Sequence, residues 1–378
     1  MGAVRETMRF PLLFASLLVC SVLVIYIISS QTEKETCTVP AEISSRKEHV
    51  INFRRFDSKD PAPTSKLGHK TGKTGESPFL SHAEKLFKLY DGVGTFVMFI
   101  GYPRSSHSLV GAILDAHPEI IIPHEYDLMA KWTKYQSSKL KEKNLQKYVL
   151  FYDLHQCSLE QSMFGIRAGN NNSLTTNISG GYNYNIPGLW QGSYQRRIKV
   201  IGDKKGGTTS MDLTRTSYWR ILEEISQVVQ VPMKFIHVTR NPFDNIATMM
   251  LHKTRSRDTV REEGVKINNS SALEAEIEYY FKLAASNQRV RERYGDAVID
   301  TQGHETVLRP KETLQRLCDH LGVTCSEDYL EKCSRILYGA PSVTRDKAVW
   351  TEEQKARVTK MMKNYTFLKE YSFDKYPN

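Results

Sequence analysis

The sequence predicts an α/β fold in which a mostly parallel sheet is flanked by helices. Two observations carry this prediction. Short apolar runs of strand length alternate along the chain with longer segments whose apolar residues recur at helical spacing. Some of these runs are apolar throughout, as in Thr95–Ile100, which is typical of strands buried on both faces of a parallel sheet. The length of 378 residues accommodates one large domain with appendages or two modest domains.

The first segment of the chain predicts a membrane anchor. Residues 10–30 contain no charged side chain and most are apolar, close to the roughly 20 residues that a membrane-spanning helix requires. Arg5 and Arg9 precede this stretch, so we expect residues 1–9 in the cytoplasm and the rest of the chain across the membrane. A cleaved signal peptide is the alternative because two small serines end the stretch, although the apolar run is long for one.

Residues 31–90 predict a stem between the membrane and the folded domain. They are polar and mixed in charge, and few apolar residues recur at any period, so a packed core is not expected. The run Gly68–Gly75 resembles a Walker A loop, but three residues separate its first glycines where that motif has four, and no apolar strand precedes it. We interpret it as a flexible basic linker and place the globular domain at residues 91–378.

Several features beyond the anchor are typical of a luminal protein. Five acceptor sequons for N-glycosylation occur, at Asn171, Asn177, Asn268, Asn269 and Asn364. Of the six cysteines, Cys20 falls within the membrane segment, so an odd number would face an oxidising compartment. We expect one disulfide bond within the group Cys318, Cys325 and Cys333. Cys37 in the stem is a candidate link between two copies of the chain in a homodimer.

One stretch predicts a strand, a tight loop and a helix in that order. The run Thr95–Ile100 is broken by Gly101 and Pro103, and apolar residues then recur at helical spacing until Pro118. The start of this helix carries Arg104, Ser105, Ser106, His107 and Ser108. Unpaired N–H groups, the positive end of the helix dipole, a guanidinium and hydroxyls together suit a phosphate or sulfate group. An ordinary turn with hydroxyl caps is the alternative.

Strands and helices continue to alternate through the rest of the domain. Apolar runs predict strands at 119–123, 197–202, 233–239 and 297–300, and periodicity predicts helices within 127–160 and at 217–229, 245–252, 274–294 and 311–321. Residues 170–190 are rich in Asn and Gly and predict an exposed loop. This loop would act as a lid, bind an acceptor or simply carry glycans.

Charged residues follow four of the predicted strands. Arg104, Glu125, Lys204 and Arg240 each come shortly after an apolar run. Because ligands of open parallel sheets bind beyond the carboxyl ends of the strands, we expect these side chains to converge. The net charge of +10 favours an anionic partner such as a nucleotide, an acidic glycan or an acidic peptide. Nucleic acid is not expected because the basic residues are spread out, and no metal is expected because no His/Cys/Asp cluster has ligand spacing.

Two of these motifs resemble those of a known family. Residues 101–109 resemble the 5′-phosphosulfate loop of the sulfotransferases that use 3′-phosphoadenosine 5′-phosphosulfate (PAPS), and residues 114–118 are similar to the Golgi protein-tyrosine and carbohydrate members. Residues 234–248 resemble the segment that binds the 3′-phosphate in that family. The resemblance implies that Arg240 and Thr248 hold this phosphate.

The later part of the chain extends the same resemblance. Residues 305–323 are similar to the late helix of the sulfotransferase fold, and residues 341–350 resemble its late basic segment, which returns to the nucleotide. That similarity implies that Arg345 binds the co-substrate. In total the resemblance spans residues 95–373.

The resemblance also implies roles for the residues that follow the strands. Glu125 lies where the tyrosine sulfotransferases carry their catalytic glutamate, with His124 as second choice. Lys204 would stabilise the bridging oxygen, with Lys205 as close rival, and Arg104, Ser105 and Ser108 would hold the 5′ end. Two positions depart from the family pattern, because Ser106 replaces a usual glycine and His107 a usual threonine. His107 would then either donate a hydrogen bond to the phosphosulfate or indicate a weakened site.

The expected function follows from this resemblance. It implies the P-loop-like sulfotransferase fold and transfer of a sulfuryl group from PAPS, without a metal, to a hydroxyl acceptor, more readily a glycan. The topology implies a single-pass type II protein of the Golgi membrane. Three alternatives stay open: a protein-tyrosine sulfotransferase, a non-catalytic scaffold on the same fold, and a P-loop kinase, which the missing Walker A motif disfavours.

Overall fold

A computed structural model describes residues 85–142, 144–163, 184–254, 256, 264–337 and 339–375. The predicted anchor at 10–30, nearly all of the stem and most of the Asn-rich loop lie outside the described residues. Within the described ranges, no helix has the length and apolar character needed to cross a membrane. The described residues belong to one compact unit, Gly75–Asn378. The domain start at residue 91 stays a prediction, although Tyr90 is already buried.

The described chain contains a five-stranded sheet with the order β2-β3-β1-β4-β5. Its strands are β1 (Thr95–Gly101), β2 (Ile120–Ile121), β3 (Val200–Asp203), β4 (Met233–Thr239) and β5 (Val298–Gln302). Each neighbouring pair is parallel. The predicted α/β fold with a parallel sheet is therefore confirmed, and the central β1 is buried along its whole length.

Helices cover the sheet. They are α1 (His107–Asp115), α2 (Ser138–Glu142), α3 (Gln146–Met163), α4 (Gly206–Asp212), α5 (Thr216–Val229), α6 (Pro242–Lys253), α7 (Ser270–Tyr294), α8 (Gly303–Leu308), α9 (Pro310–Leu321), α10 (Glu327–Arg335) and α11 (Glu352–Met362). Single 3₁₀ turns lie at Lys88–Tyr90, Trp132–Gln136, Gly295–Ala297, Arg345–Lys347 and Thr366–Leu368. The predicted helices appear as α1 after the first loop, as α2 and α3 for the region 127–160, and as α5, α6, α7 and α9. Helix α9 is capped by Gly322, which lies in the left-handed region with φ 77°.

Helix α4 was not predicted from the sequence. Its residues begin with two glycines and two threonines, which are poor helix formers. Tertiary packing explains it, because a Cβ on Gly207 would lie 2.8 Å from Pro103 Cδ. Only a glycine therefore lets α4 pack directly on the loop that follows β1.

Alternate residues of β1 build the two faces of the sheet. Phe96, Met98 and Ile100 join one apolar cluster, which includes residues of α3 and α5. Val97 and Phe99 join a second cluster, which includes residues of α1, α9 and α10. Apolar burial on both faces explains why the strand is apolar throughout.

One disulfide bond is present in the described chain. It joins Cys318 to Cys325, with a Cα–Cα distance of 6.0 Å, and confirms the predicted bridge within that cysteine group. Cys157 and Cys333 are buried thiols. His117 lies beside the disulfide, and its Nε2 is 3.0 Å from the carbonyl oxygen of Thr324. The expected absence of a metal stays a prediction, and Cys37 lies outside the described residues.

Candidate active site

The carboxyl edge of the sheet holds a contact between Lys204 and Glu125. Lys204 follows β3 and is 1% exposed. Its Nζ lies 3.1 Å from Oε1 of Glu125 and donates a hydrogen bond of 3.0 Å to Oγ of Ser108 in α1. Burial lowers the pKa of Lys204 to about 8, while the neighbouring carboxylate opposes this shift. The predicted residues Glu125, Lys204 and Ser108 therefore meet at one point.

Glu125 is the accessible member of this cluster. Its side chain is 40% exposed, with His107 Nε2 at 3.8 Å and Lys205 Nζ at 3.5 Å from its carboxylate oxygens. The His107 ring and the Lys204 ammonium hold the pKa of Glu125 well below its usual range, against the opposing effect of burial. Burial lowers the pKa of His107 itself. Glu125 is therefore an ionised carboxylate at neutral pH.

A buried aspartate shapes the turn that carries Glu125. The Asp203 carboxylate accepts backbone hydrogen bonds from Tyr126 at 3.0 Å and from Leu128 at 2.8 Å. Glu125 and Asp127 alternate with these residues and have φ values of 57° and 65°, a region that non-glycine residues seldom adopt. Burial raises the pKa of Asp203 to about 6. Asp203 was missed in the sequence, where its one signal is its place just before Lys204.

The side chains of the loop after β1 point in two directions, toward the Glu125 cluster and toward α6. Ser105 is buried, with Oγ 3.3 Å from His107 Nδ1, so it stands behind the Glu125 cluster. Ser106 has a φ of 77°, which explains why a glycine would suit this position. Arg104 is exposed and its guanidinium contacts His252 of α6. Its side chain therefore points to α6 in this structure.

Arg240 and Thr248 form the second group. Arg240 follows β4, and its Nη1 donates a hydrogen bond of 3.0 Å to Oγ1 of Thr248 in α6, eight residues later. The same hydroxyl donates to the Asp244 carbonyl oxygen at 2.7 Å. Thr248 thus orients the guanidinium. The spacing of eight residues brings both side chains together, as predicted.

The segment 341–345 packs against this pair. Nη2 of Arg240 donates to the carbonyl oxygen of Ser342 at 2.7 Å and to Oγ1 of Thr344 at 2.8 Å. A cavity opens beside Arg240, and its lining includes Ser106, Gln302, His304, Ser342 and Tyr371. The residues after β5 were not singled out in the sequence, because polar side chains after a strand are common.

Arg345 differs from its prediction as a ligand of the co-substrate. It borders the cavity but is fully buried, and its Nε and Nη2 donate to the Asp244 carboxylate at 3.0 and 2.6 Å. Its Nη1 donates to the carbonyl oxygens of Ser372 and Phe373 at 2.8 and 2.5 Å. These protein acceptors engage the guanidinium, so Arg345 holds the cavity walls together rather than facing a ligand.

The fold and this site define a class of protein. A parallel sheet collects a carboxylate, a buried lysine and an oriented arginine at its carboxyl edge, an arrangement suited to group transfer from an anionic substrate. The particular family follows from comparison: the chain belongs to the sulfotransferase family, whose model matches residues 97–327. The predicted family is confirmed, while the Golgi subclass stays a prediction.

Solved sulfotransferase structures resemble the chain. The sulfotransferase domain from the curacin biosynthetic pathway is 14% identical, with 72% of this chain and 96% of that chain covered and a TM-score of 0.38. Mouse sulfotransferase SULT7A1 complexed with PAP is 13% identical, with 76% and 94% covered and a TM-score of 0.40. STF9 from Mycobacterium avium is 10% identical, with 78% and 81% covered and a TM-score of 0.40. No curated protein sequence matches this chain.

Proposed function

We propose that this chain transfers the sulfuryl group of PAPS to a hydroxyl of an acceptor, more readily a glycan, in the lumen of the Golgi. The observation that carries the proposal is the contact between the Glu125 carboxylate and the buried Lys204 ammonium, at the carboxyl edge of a sulfotransferase sheet. A base and a cation at the same point are what sulfuryl transfer to a hydroxyl requires.

The donor would occupy both groups of residues. Its 3′-phosphate would lie at Arg240, oriented by Thr248, with its nucleoside in the adjoining cavity. Its 5′-phosphosulfate would lie at the N-terminus of α1, against the loop of Arg104, Ser105, Ser106, His107 and Ser108. Arg104 would leave His252 to reach that group. This assignment places the sulfur beside Lys204, because Lys204 contacts Ser108 of the same helix end.

The reaction would be an in-line displacement at sulfur. The acceptor oxygen forms the new S–O bond as its proton passes to Glu125, and the bond from sulfur to the 5′-phosphate oxygen breaks. Lys204 neutralises the charge that develops on that departing oxygen, and PAP leaves as the anion. The half-exposed Glu125 carboxylate gives an acceptor access to this point, while Lys204 stays buried behind it.

The acceptor side is mixed in charge. Lys205 lies 3.5 Å from Glu125 and 3.7 Å from Asp127, and all three side chains are partly exposed. A lysine at the mouth of the site, in a chain with a net charge of +10, favours an anionic acceptor such as an acidic glycan. The luminal location rests on the apolar stretch at 10–30 and the sequons.

Calorimetric titration of the full-length chain with PAP, PAPS and ATP tests the donor assignment. We expect selective binding of PAP and PAPS, lost in Arg240→Ala and retained in Arg220→Ala, which removes an exposed arginine of α5. A folded chain that binds none of the three would support the scaffold alternative. ATP binding with hydrolysis would support a kinase. Transfer of labelled sulfate to an acidic glycan, measured beside a tyrosine peptide, tests the acceptor class.

A further inference from the structure

The cavity beside Arg240 has a wall formed by the end of the chain. Glu370, Tyr371 and Lys375 line it, opposite residues that follow β4 and β5. None of the motifs described above includes these three residues.

Side chains from two other segments fix this wall in place. Arg345 donates to the carbonyl oxygens of Ser372 and Phe373, as described above, and also to that of Lys375 at 3.2 Å. Asn241 Nδ2, just after Arg240, donates to the Ser372 carbonyl oxygen at 2.9 Å. The Tyr371 hydroxyl lies 3.1 Å from Oγ1 of Thr239, the last residue of β4. Residues 370–375 are therefore bound along their backbone to the site.

A single buried ion pair joins three parts of the cavity lining, namely α6, the segment 341–345 and the C-terminal segment. Asp244 lies in the first turn of α6 and accepts hydrogen bonds from the backbone of Thr344 at 2.8 Å and of Arg345 at 2.9 Å. Its carboxylate also binds the Arg345 guanidinium, which in turn holds the C-terminal carbonyl groups. The position of the last wall thus depends on the same helix that positions Thr248.

The charged residues of the cavity lining differ in whether their charge is available to a ligand. The Asp244 and Arg345 charges are paired with each other in the interior. Lys375 is exposed, and its Nζ contacts the neutral carbonyl oxygen of Glu370 at 3.4 Å. Arg240 and Lys375 therefore bring positive charge to one cavity from two distant parts of the sequence, and the acidic residue Glu370 belongs to the same lining.

We propose that the C-terminal segment Glu370–Lys375 is part of the donor site and that Lys375 is a second cation for the 3′-phosphate, beside Arg240. This inference rests on the proposed function, since it takes the ligand to be a nucleotide with a 3′-phosphate. A phosphate monoester carries up to two negative charges near neutral pH, and one arginine compensates only part of them. Arg345 acts as the positioning residue that keeps this wall closed.

Calorimetric titration of the full-length chain with PAP and with 5′-AMP, which lacks the 3′-phosphate, tests the proposal. We expect Lys375→Ala to weaken PAP binding about fivefold, as for one exposed ion pair, and to leave 5′-AMP binding nearly unchanged. Lys375→Arg should retain most of the affinity. Lys369→Ala, an exposed lysine outside the cavity lining, is the matched control. Added salt should reduce the difference between wild type and Lys375→Ala.

The outcomes separate this inference from the proposed function. Wild type that binds PAP, with Lys375→Ala binding it equally well, overturns the role of Lys375 and leaves the proposed function standing. Equal losses for PAP and 5′-AMP overturn the assignment to the 3′-phosphate. A folded wild-type chain that binds no PAP overturns the proposed function and this inference with it.

Discussion

Lys204 and Glu125 contact each other twice, once through their side chains and once through their backbones. Nζ of Lys204 lies 3.1 Å from Oε1 of Glu125, and the N–H of Glu125 donates to the carbonyl oxygen of Lys204 at 3.0 Å. Asp203 completes the arrangement because its carboxylate accepts hydrogen bonds from the N–H groups of Tyr126 and Leu128, which follow Glu125 in the same turn. The end of β3 thus positions both Lys204 and Glu125.

Replacement of Glu125 by glutamine should abolish transfer and spare donor binding. The amide keeps the shape and loses the proton acceptor, so we expect kcat to fall about 10²- to 10⁴-fold. PAP affinity should stay within twofold of wild type, because Glu125 faces the acceptor side. Transfer of labelled sulfate and calorimetry on the same preparation measure both quantities. Transfer at the wild-type rate would exclude Glu125 as the base.

The pH profile should report the buried lysine. Since burial lowers the pKa of Lys204 to about 8, its ammonium is present below that pH and is lost above it. We expect kcat/KM to fall as pH rises through about 8, where Lys204 gives up its proton. Lys204→Arg stays protonated over this range, so its profile should lose that descending limb even if its rate is lower. If wild type and Lys204→Arg show the same fall in kcat/KM above pH 8, the ionisation belongs to a group other than Lys204.

A glycine in α1 makes room for Lys204. A Cβ on Gly111 would lie 2.7 Å from Lys204 Cγ and 3.2 Å from its Cβ, so Gly111→Ala should displace the lysine side chain. We expect at least a tenfold loss of kcat, with PAP affinity nearly unchanged because Arg240 lies elsewhere. Gly94→Ala is the matched control, since no atom lies within 4 Å of its added Cβ. Equal activity of both variants would show that Lys204 needs no such placement.

We expect Thr248 to support PAP binding through its hydroxyl oxygen, which accepts a hydrogen bond from Arg240. Thr248→Val keeps the shape but removes the acceptor for Arg240, so we expect PAP to bind about tenfold more weakly, equivalent to about 1.4 kcal/mol. Thr248→Ser keeps the hydroxyl and should bind like wild type. Calorimetric titration of both variants with PAP decides the matter. Equal weakening by serine and valine would point to the methyl group instead.

We expect the buried ion pair between Arg345 and Asp244 to contribute strongly to the free energy of unfolding. Arg345→Met leaves a buried carboxylate without its partner, and we expect the free energy of unfolding to fall by about 3–5 kcal/mol. The double variant Arg345→Met with Asp244→Asn should recover part of this loss, because no unpaired charge remains. Arg335→Ala, which removes an exposed arginine, should leave the melting temperature unchanged. Thermal unfolding followed by circular dichroism measures all three.

Predictions from the sequence agree best with the structure where local interactions determine an element, and least where contacts between distant segments determine it. The predicted strand 233–239 coincides with β4, because an unbroken apolar run has few other stable environments. The run at 119–123 forms a strand only at Ile120–Ile121, because the N–H of Ile122 donates to the Asp115 carboxylate instead and Pro123 has no N–H. The Arg240–Thr248 contact was predictable because it spans one loop and two helical turns.

The sequence by itself determined the class of fold, the family and the residues at the strand ends, because periodicity, buried apolar runs and short motifs are local properties of the chain. Only the tertiary structure decided which residues meet. Arg345 and Asp244 are 101 residues apart and pair in the interior, and Lys375 reaches the cavity of Arg240 because Arg345, together with Asn241 and Thr239, holds the C-terminal segment there. Such contacts depend on how distant segments pack, and no local pattern in the sequence encodes them.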